Sequence, residues 1–137
     1  MVVGLAAAAA QGAPAVTQDV DLWFRDLSDE RIRKALADVG GVYVPPTSSR
    51  PPMLAGLGTS LFDVVLTLHG LDSYDIEAQR AVKVRLGDVD VRMLPLERII
   101  ASKKAARRPK DLAILPALED ALLASRAATR RTRRRPR

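Results

Sequence analysis

Thr17-Gln18-Asp19-Val20-Asp21-Leu22-Trp23-Phe24-Arg25 is the stretch on which the fold of this chain turns. Val20, Leu22 and Phe24 alternate with Asp19, Asp21 and Trp23, which is the two-residue period of a β-strand. Residues two apart on a strand project from one face, so the Asp19 and Asp21 carboxylates share a side and can grip one divalent cation or a pair of them. Oxygen ligands suit magnesium or manganese, and magnesium is commonly held by one or two carboxylates together with water and substrate phosphates. Trp23 falls on the same expected face, where it either walls such a site or packs into the core.

Upstream, Val2-Val3 reads as the end of a strand and Gly4 to Gln11 as an alanine-rich helix stopped by Gly12 and Pro14. A strand starting at Met1 leaves no room for an earlier helix, which suggests a misassigned start or a trimmed version of something longer. Downstream, Ser28 is the expected N-cap of a helix running through Arg31 to Val39 and ended by Gly40-Gly41. Pro45 to Ser60 reads as a loop with a short strand around Met53 to Leu57.

Leu61 to Leu68 is a nearly unbroken apolar run, the pattern of a strand buried on both faces, with Asp63 inside it. A carboxylate buried there calls for a compensating positive charge, and it would be a third acid converging on Asp19 and Asp21. Three such groups can hold two ions about 4 Å apart, one activating an attacking oxygen and one stabilising a leaving pyrophosphate. The plainer alternative is an Asp63 at a strand end, facing solvent. His69 precedes a turn glycine and reads as structural.

Tyr74 to Arg80 is helical or loop-like, and Val82–Leu86 and Val89–Met93 flank a tight Gly87-Asp88 turn. Leu96–Ala106 and Asp111–Ser125 read as helices separated by Pro109, with Asp111 as N-cap of the second. Lys103, Lys104, Arg108 and Lys110 crowd the junction. They either complement a helix dipole or receive phosphate groups.

The 137 residues suit one domain, and a net charge of +6 points towards nucleic acid until its distribution is considered. Seven arginines lie between Arg126 and Arg137, leaving 15 basic and 16 acidic groups in residues 1–125. We therefore expect a domain over 1–125 and a disordered arginine-rich tail over 126–137, which solubilises the chain or touches nucleic acid non-specifically. The absence of cysteine excludes disulfides and thiolate zinc, and a single histidine excludes a multi-histidine metal cage. No membrane span and no export signal are evident, so the expected location is cytoplasmic.

Taken in order, Gly4-Leu5-Ala6, Gln11-Gly12-Ala13-Pro14 and Thr17-Gln18-Asp19-Val20-Asp21-Leu22 resemble the opening of the minimal nucleotidyltransferases of the DNA polymerase β superfamily, including its abortive-infection toxin branch. Leu61-Phe62-Asp63-Val64-Val65, Leu96 to Lys103 and Arg108-Pro109-Lys110-Asp111-Leu112 are similar to later segments of that family. The resemblance implies an α/β (α+β) fold, a mixed sheet flanked by helices with a C-terminal helical segment. It implies a nucleotidyl group moved from a nucleoside triphosphate to a hydroxyl acceptor on RNA, protein or a small molecule. Asp19, Asp21 and Asp63 would be the catalytic, metal-holding carboxylates, with Mg2+ or Mn2+ as the metal. Gly4, Thr17, Lys103 and Lys110 would contact the nucleotide. Leu5 and Ala15 stand where the family carries small or phosphate-binding residues. Those two positions support the alternative expectation of a catalytically degenerate binding protein or toxin-antitoxin component touching nucleic acid through Arg126–Arg137.

Overall fold

The computed structural model describes residues 1–133. Its elements run β1 (Val2–Val3), α1 (Gly4–Ala10), β2 (Val20–Trp23), α2 (Glu30–Asp38), β3 (Gly41–Val44), β4 (Met53–Gly56), β5 (Phe62–Val65), α3 (Tyr74–Arg80), β6 (Val82–Leu86), β7 (Val89–Met93), α4 (Leu96–Ala106) and α5 (Pro109–Arg133). The architecture is mixed α+β with a C-terminal helix, as the sequence led us to expect.

Five strands form one sheet in the order β5-β2-β1-β7-β6, and β3 with β4 forms a separate two-stranded ribbon. Strand β1 sits at the centre, antiparallel to β2 and parallel to β7, although it contributes only two residues. Strand β5 runs parallel to β2, pairing Val20 with Phe62 and Asp21 with Asp63. The β6–β7 hairpin turns at Gly87 with φ 56°, a left-handed conformation that glycine adopts freely.

The core joins Val3, Ala7 and Ala8 to Met93, Leu94, Ile99, Ile100 and Leu118, so the first strand and helix are clasped by β7, α4 and α5. Ala7 and Ala8, the buried residues of α1, are small enough to let that helix lie close to its neighbours. Gln11 fastens the corner: its Nε2 donates to the carbonyls of Ala7 and Leu94, while its Oε1 accepts from the Leu96 amide at the start of α4.

Several local expectations change. The N-cap of α2 is Asp29, whose carboxylate accepts from the Arg31 amide, while Ser28 donates to Asp26 instead. Both acids and serine compete for capping, and spacing alone did not separate them. Gly41 opens strand β3 as well as following the helix, because a Cβ there would meet Thr59 Cγ2 at 2.5 Å. Pro109 is the first residue of α5, a position where its missing N–H is harmless. Asp111 therefore lies inside the first turn and is not the cap.

The apolar run Leu61–Leu68 gives a four-residue strand at the sheet edge, not one buried on both faces. Leu61 and Leu66 flank it, 61% and 52% exposed, and Asp63 is exposed too, so no buried charge has to be compensated there. An apolar run without a period states hydrophobicity but not which neighbours arrive.

Helix α5 continues past Ser125 to Arg133, so Arg126–Arg133 is helical where a disordered tail was expected; the part of that expectation covering residues 134–137 lies outside the described residues. Lys104 to Glu119 at 2.5 Å and Arg126 to Glu97 at 2.7 Å tie α5 antiparallel along α4. Among the described residues no helix is long and apolar enough to cross a membrane.

Candidate functional site

The alternation read from the sequence places Leu22 and Phe24 on the wall of a large cleft, whereas Asp21 lies against the start of α1. That start is Gly4, with φ 65°, and a Cβ placed on it would fall 2.1 Å from Asp21 Oδ2. Glycine is thus required twice over, for its backbone conformation and for the carboxylate lying on its Cα. Leu5 turns its side chain against the core cluster, away from that contact.

Parallel pairing in register sets the Asp63 side chain beside that of Asp21 on the same face of the sheet. Asp19 stands two residues earlier on the exposed approach to β2. Its backbone is held by Thr17, whose hydroxyl donates to the Asp19 carbonyl at 3.0 Å and accepts from the Asp19 amide at 3.3 Å. In this structure Thr17 thus holds the backbone of Asp19.

From the opposite side comes α4. Ser102, Lys103 and Ala106, with Arg108 just beyond the helix, face Gly4 and Asp21 across a cavity of about 80 Å³. The Lys103 ammonium is mostly buried and donates to Asp111 at 2.9 Å; Arg108 Nε donates to the other oxygen of Asp111 at 2.6 Å. Asp111 is fully buried, and these two cations hold its carboxyl below the usual carboxylate range despite that burial. Lys110 is exposed. Arg107 ends α4 in the left-handed region at φ 53°, bringing Arg108 and Lys110 round the corner.

Asp21 behaves in the opposite way. Among the described residues its carboxylate takes no hydrogen bond and no ion pair. Partial burial pushes its pKa up, the neighbouring charge of Asp63 pushes it further, and Asp19 adds a smaller push; Lys103 and Lys110 only partly offset these. A half-buried carboxylate flanked by two others and left without a hydrogen-bonded cation is a site that favours a proton or an added cation.

Among the described residues no three acid or histidine side chains close into a ready-made metal cluster. The structure brings together Gly4, Asp21 and Lys103, sets Asp63 in register beside Asp21, and leaves Asp19, Thr17 and Lys110 on the rim. His69 is exposed. Trp23 belongs to the core, donating from Nε1 to the Leu66 carbonyl at 3.0 Å and meeting Tyr74 edge-on at 5.6 Å.

The sequence reading missed the role of Asp111 as the anchor of Lys103. It also missed Glu77, fully buried and gripped by Arg98, Arg80 and the Asp72 amide. The one hint for Glu77 was its place on the inward side of a short helix between Tyr74 and Ala78. No protein-family model matches this chain, and neither does any curated protein sequence.

Proposed function

We propose that the chain is a metal-dependent nucleotidyltransferase, moving a nucleotidyl group from a nucleoside triphosphate to a hydroxyl acceptor. The observation that carries this reading is the in-register pair Asp21 and Asp63 on adjoining parallel strands, with Lys103 facing Asp21 across a small cavity. Oxygen-only donors and an uncompensated half-buried carboxylate fit Mg2+ or Mn2+.

Asp21 and Asp63, with Asp19 at the rim, would hold such an ion, which when bound offsets phosphate charge and activates the attacking oxygen. Asp63, exposed at the sheet edge, accepts the proton of the acceptor hydroxyl. Lys103, pinned by Asp111 in a fixed pose, presents its remaining N–H donors to the phosphates, and Lys110 adds an exposed positive charge. Gly4 keeps the backbone close to Asp21. About 80 Å³ holds a phosphate group or an ion, so the base and sugar lie along the open surface outside it.

The test is transfer of label from an α-labelled nucleoside triphosphate in magnesium, with thermal shift as a measure of binding. Asp21→Asn and Asp63→Asn should each lower transfer by at least about a hundredfold, the scale of losing one electrostatic transition-state contact. Undiminished transfer by Asp21→Asn, or no stabilisation of the wild type by nucleotide with magnesium, would sink the reading.

A second reading, a catalytically degenerate relative that binds nucleic acid, is favoured by one observation: Arg130 and Arg131 stand exposed at the far end of α5. Its mark is affinity that falls steeply with salt and is lost when residues 126–137 are deleted.

A further inference from the structure

A large concavity lies away from Asp19, Asp21 and Asp63, on the side of β2 reached by Leu22 and Phe24. It encloses about 1050 Å³ between the sheet, α2, β4 and α3. That volume is at the upper end for sites taking a small molecule.

Much of its wall is apolar, with Leu22, Phe24, Ile32, Leu54, Phe62 and Tyr74 in it. The chain has only two phenylalanines, two tyrosines and one tryptophan, and both phenylalanines and one tyrosine line this cleft. Aromatic rings bury more area than other side chains, so a small core would ordinarily absorb them. Here the closed core is built of Ala, Val, Leu, Ile and Met with Trp23, and neither phenylalanine belongs to it.

The charges on the cleft wall are mostly spoken for. Arg25 pairs with Asp75 and lies over the Tyr74 ring, Arg31 pairs with Asp29, and Asp26 accepts from both the amide and the hydroxyl of Ser28. Arg92 differs. Its guanidinium donates to the Ala78 carbonyl and enters no ion pair among the described residues. A guanidinium has five N–H donors in a planar fork suited to a carboxylate or similar anion.

We propose that this cleft binds an amphipathic small molecule with a flat or acyl apolar body and a single anionic head, the body lying among Leu22, Phe24 and Phe62 and the head on Arg92. This site stands independently of the nucleotidyl-transfer reading, because none of its lining residues belongs to the carboxylate site. Alternation on the two strands nevertheless makes the sites neighbours: Leu22 follows Asp21, and Phe62 precedes Asp63.

The probes are laurate and dodecanol, which share a chain length and differ in the head, measured by displacement of anilinonaphthalene sulfonate from the full chain. Ala35 lies exposed on the cleft wall in α2, so Ala35→Trp fills the cleft without touching the core. We expect saturable one-to-one binding of laurate, abolished by Ala35→Trp while the far-ultraviolet circular dichroism and melting temperature hold. Arg92→Gln should weaken laurate by about tenfold or more, the loss of a charge-assisted contact, and leave dodecanol unchanged. Laurate binding that survives Ala35→Trp overturns the proposal. So does equal weakening of both probes by Arg92→Gln, or a concentration-dependent dimer whose formation excludes the dye, since the occupant would then be a second copy.

Discussion

Glu77 and Asp21 are both carboxylates brought against α4, and they are treated in opposite ways. Glu77 is sealed from water and fully engaged: Nε and Nη2 of Arg98, Arg80 and the Asp72 amide reach it. The Arg98 bond, the largest influence, holds its carboxyl below the usual glutamate range in spite of burial. Asp21, half-buried one layer away, has neighbours of its own sign and a lysine already committed to Asp111, and its carboxyl is held above the usual range. A buried acid whose bonds are complete serves the fold. One whose charge is left uncompensated favours a proton or an added cation.

The comparison breaks first at Glu77. Arg98→Met leaves that buried acid with only Arg80 and the Asp72 amide, and should lower unfolding free energy by about 3 kcal/mol in urea titration. A loss below about 1 kcal/mol would show that the Glu77 cluster is not a keystone. Its pH dependence has a defined sign. A depressed folded pKa contributes stability above the ordinary glutamate range and loses it as pH falls through the folded value, so Arg98→Met should flatten the acid limb of the stability curve.

Gly4→Ala should have a smaller effect on stability, about 1–2 kcal/mol, combining a left-handed backbone position with a Cβ set into Asp21. It should also remove the magnesium-dependent thermal shift by nucleotide, because the carboxylate has to move. Retention of that shift at wild-type strength would detach Gly4 from the site.

Asp21→Asn should be the mildest, raising stability at neutral pH by less than about 1 kcal/mol. Its folded pKa is raised, so the stability associated with its proton is present below the ordinary aspartate range and lost as pH rises through the folded value. The advantage of the variant should therefore grow as pH rises above the ordinary aspartate range and vanish in acid. An advantage independent of pH would mean that Asp21 is not under charge stress.

Much of this arrangement was legible in the linear chain. Alternation in Val20–Phe24 gave the strand, the Gly87-Asp88 turn gave the hairpin, and Pro109 gave the break before α5. The strand β3 escaped because Gly40-Gly41 looked like a helix stop alone, and β3 exists through pairing with β4 twelve residues later. Asp111 was placed as a cap because its partner Lys103 belongs to another helix, and Glu77 was overlooked because Arg98 lies 21 residues away.

The sequence by itself determined the elements with local periods, the oxygen-only donor set that follows from having no cysteine, and the segregation of arginine at the C-terminal end. Only the tertiary structure decided that Asp63 lies at an exposed edge beside Asp21, that Lys103 is fixed by Asp111, and that both phenylalanines face a cleft. Local backbone preference is written over a few neighbouring residues, whereas charge compensation and cavity shape depend on groups that meet only when distant segments pack. No spacing along the chain encodes which cation reaches which carboxylate.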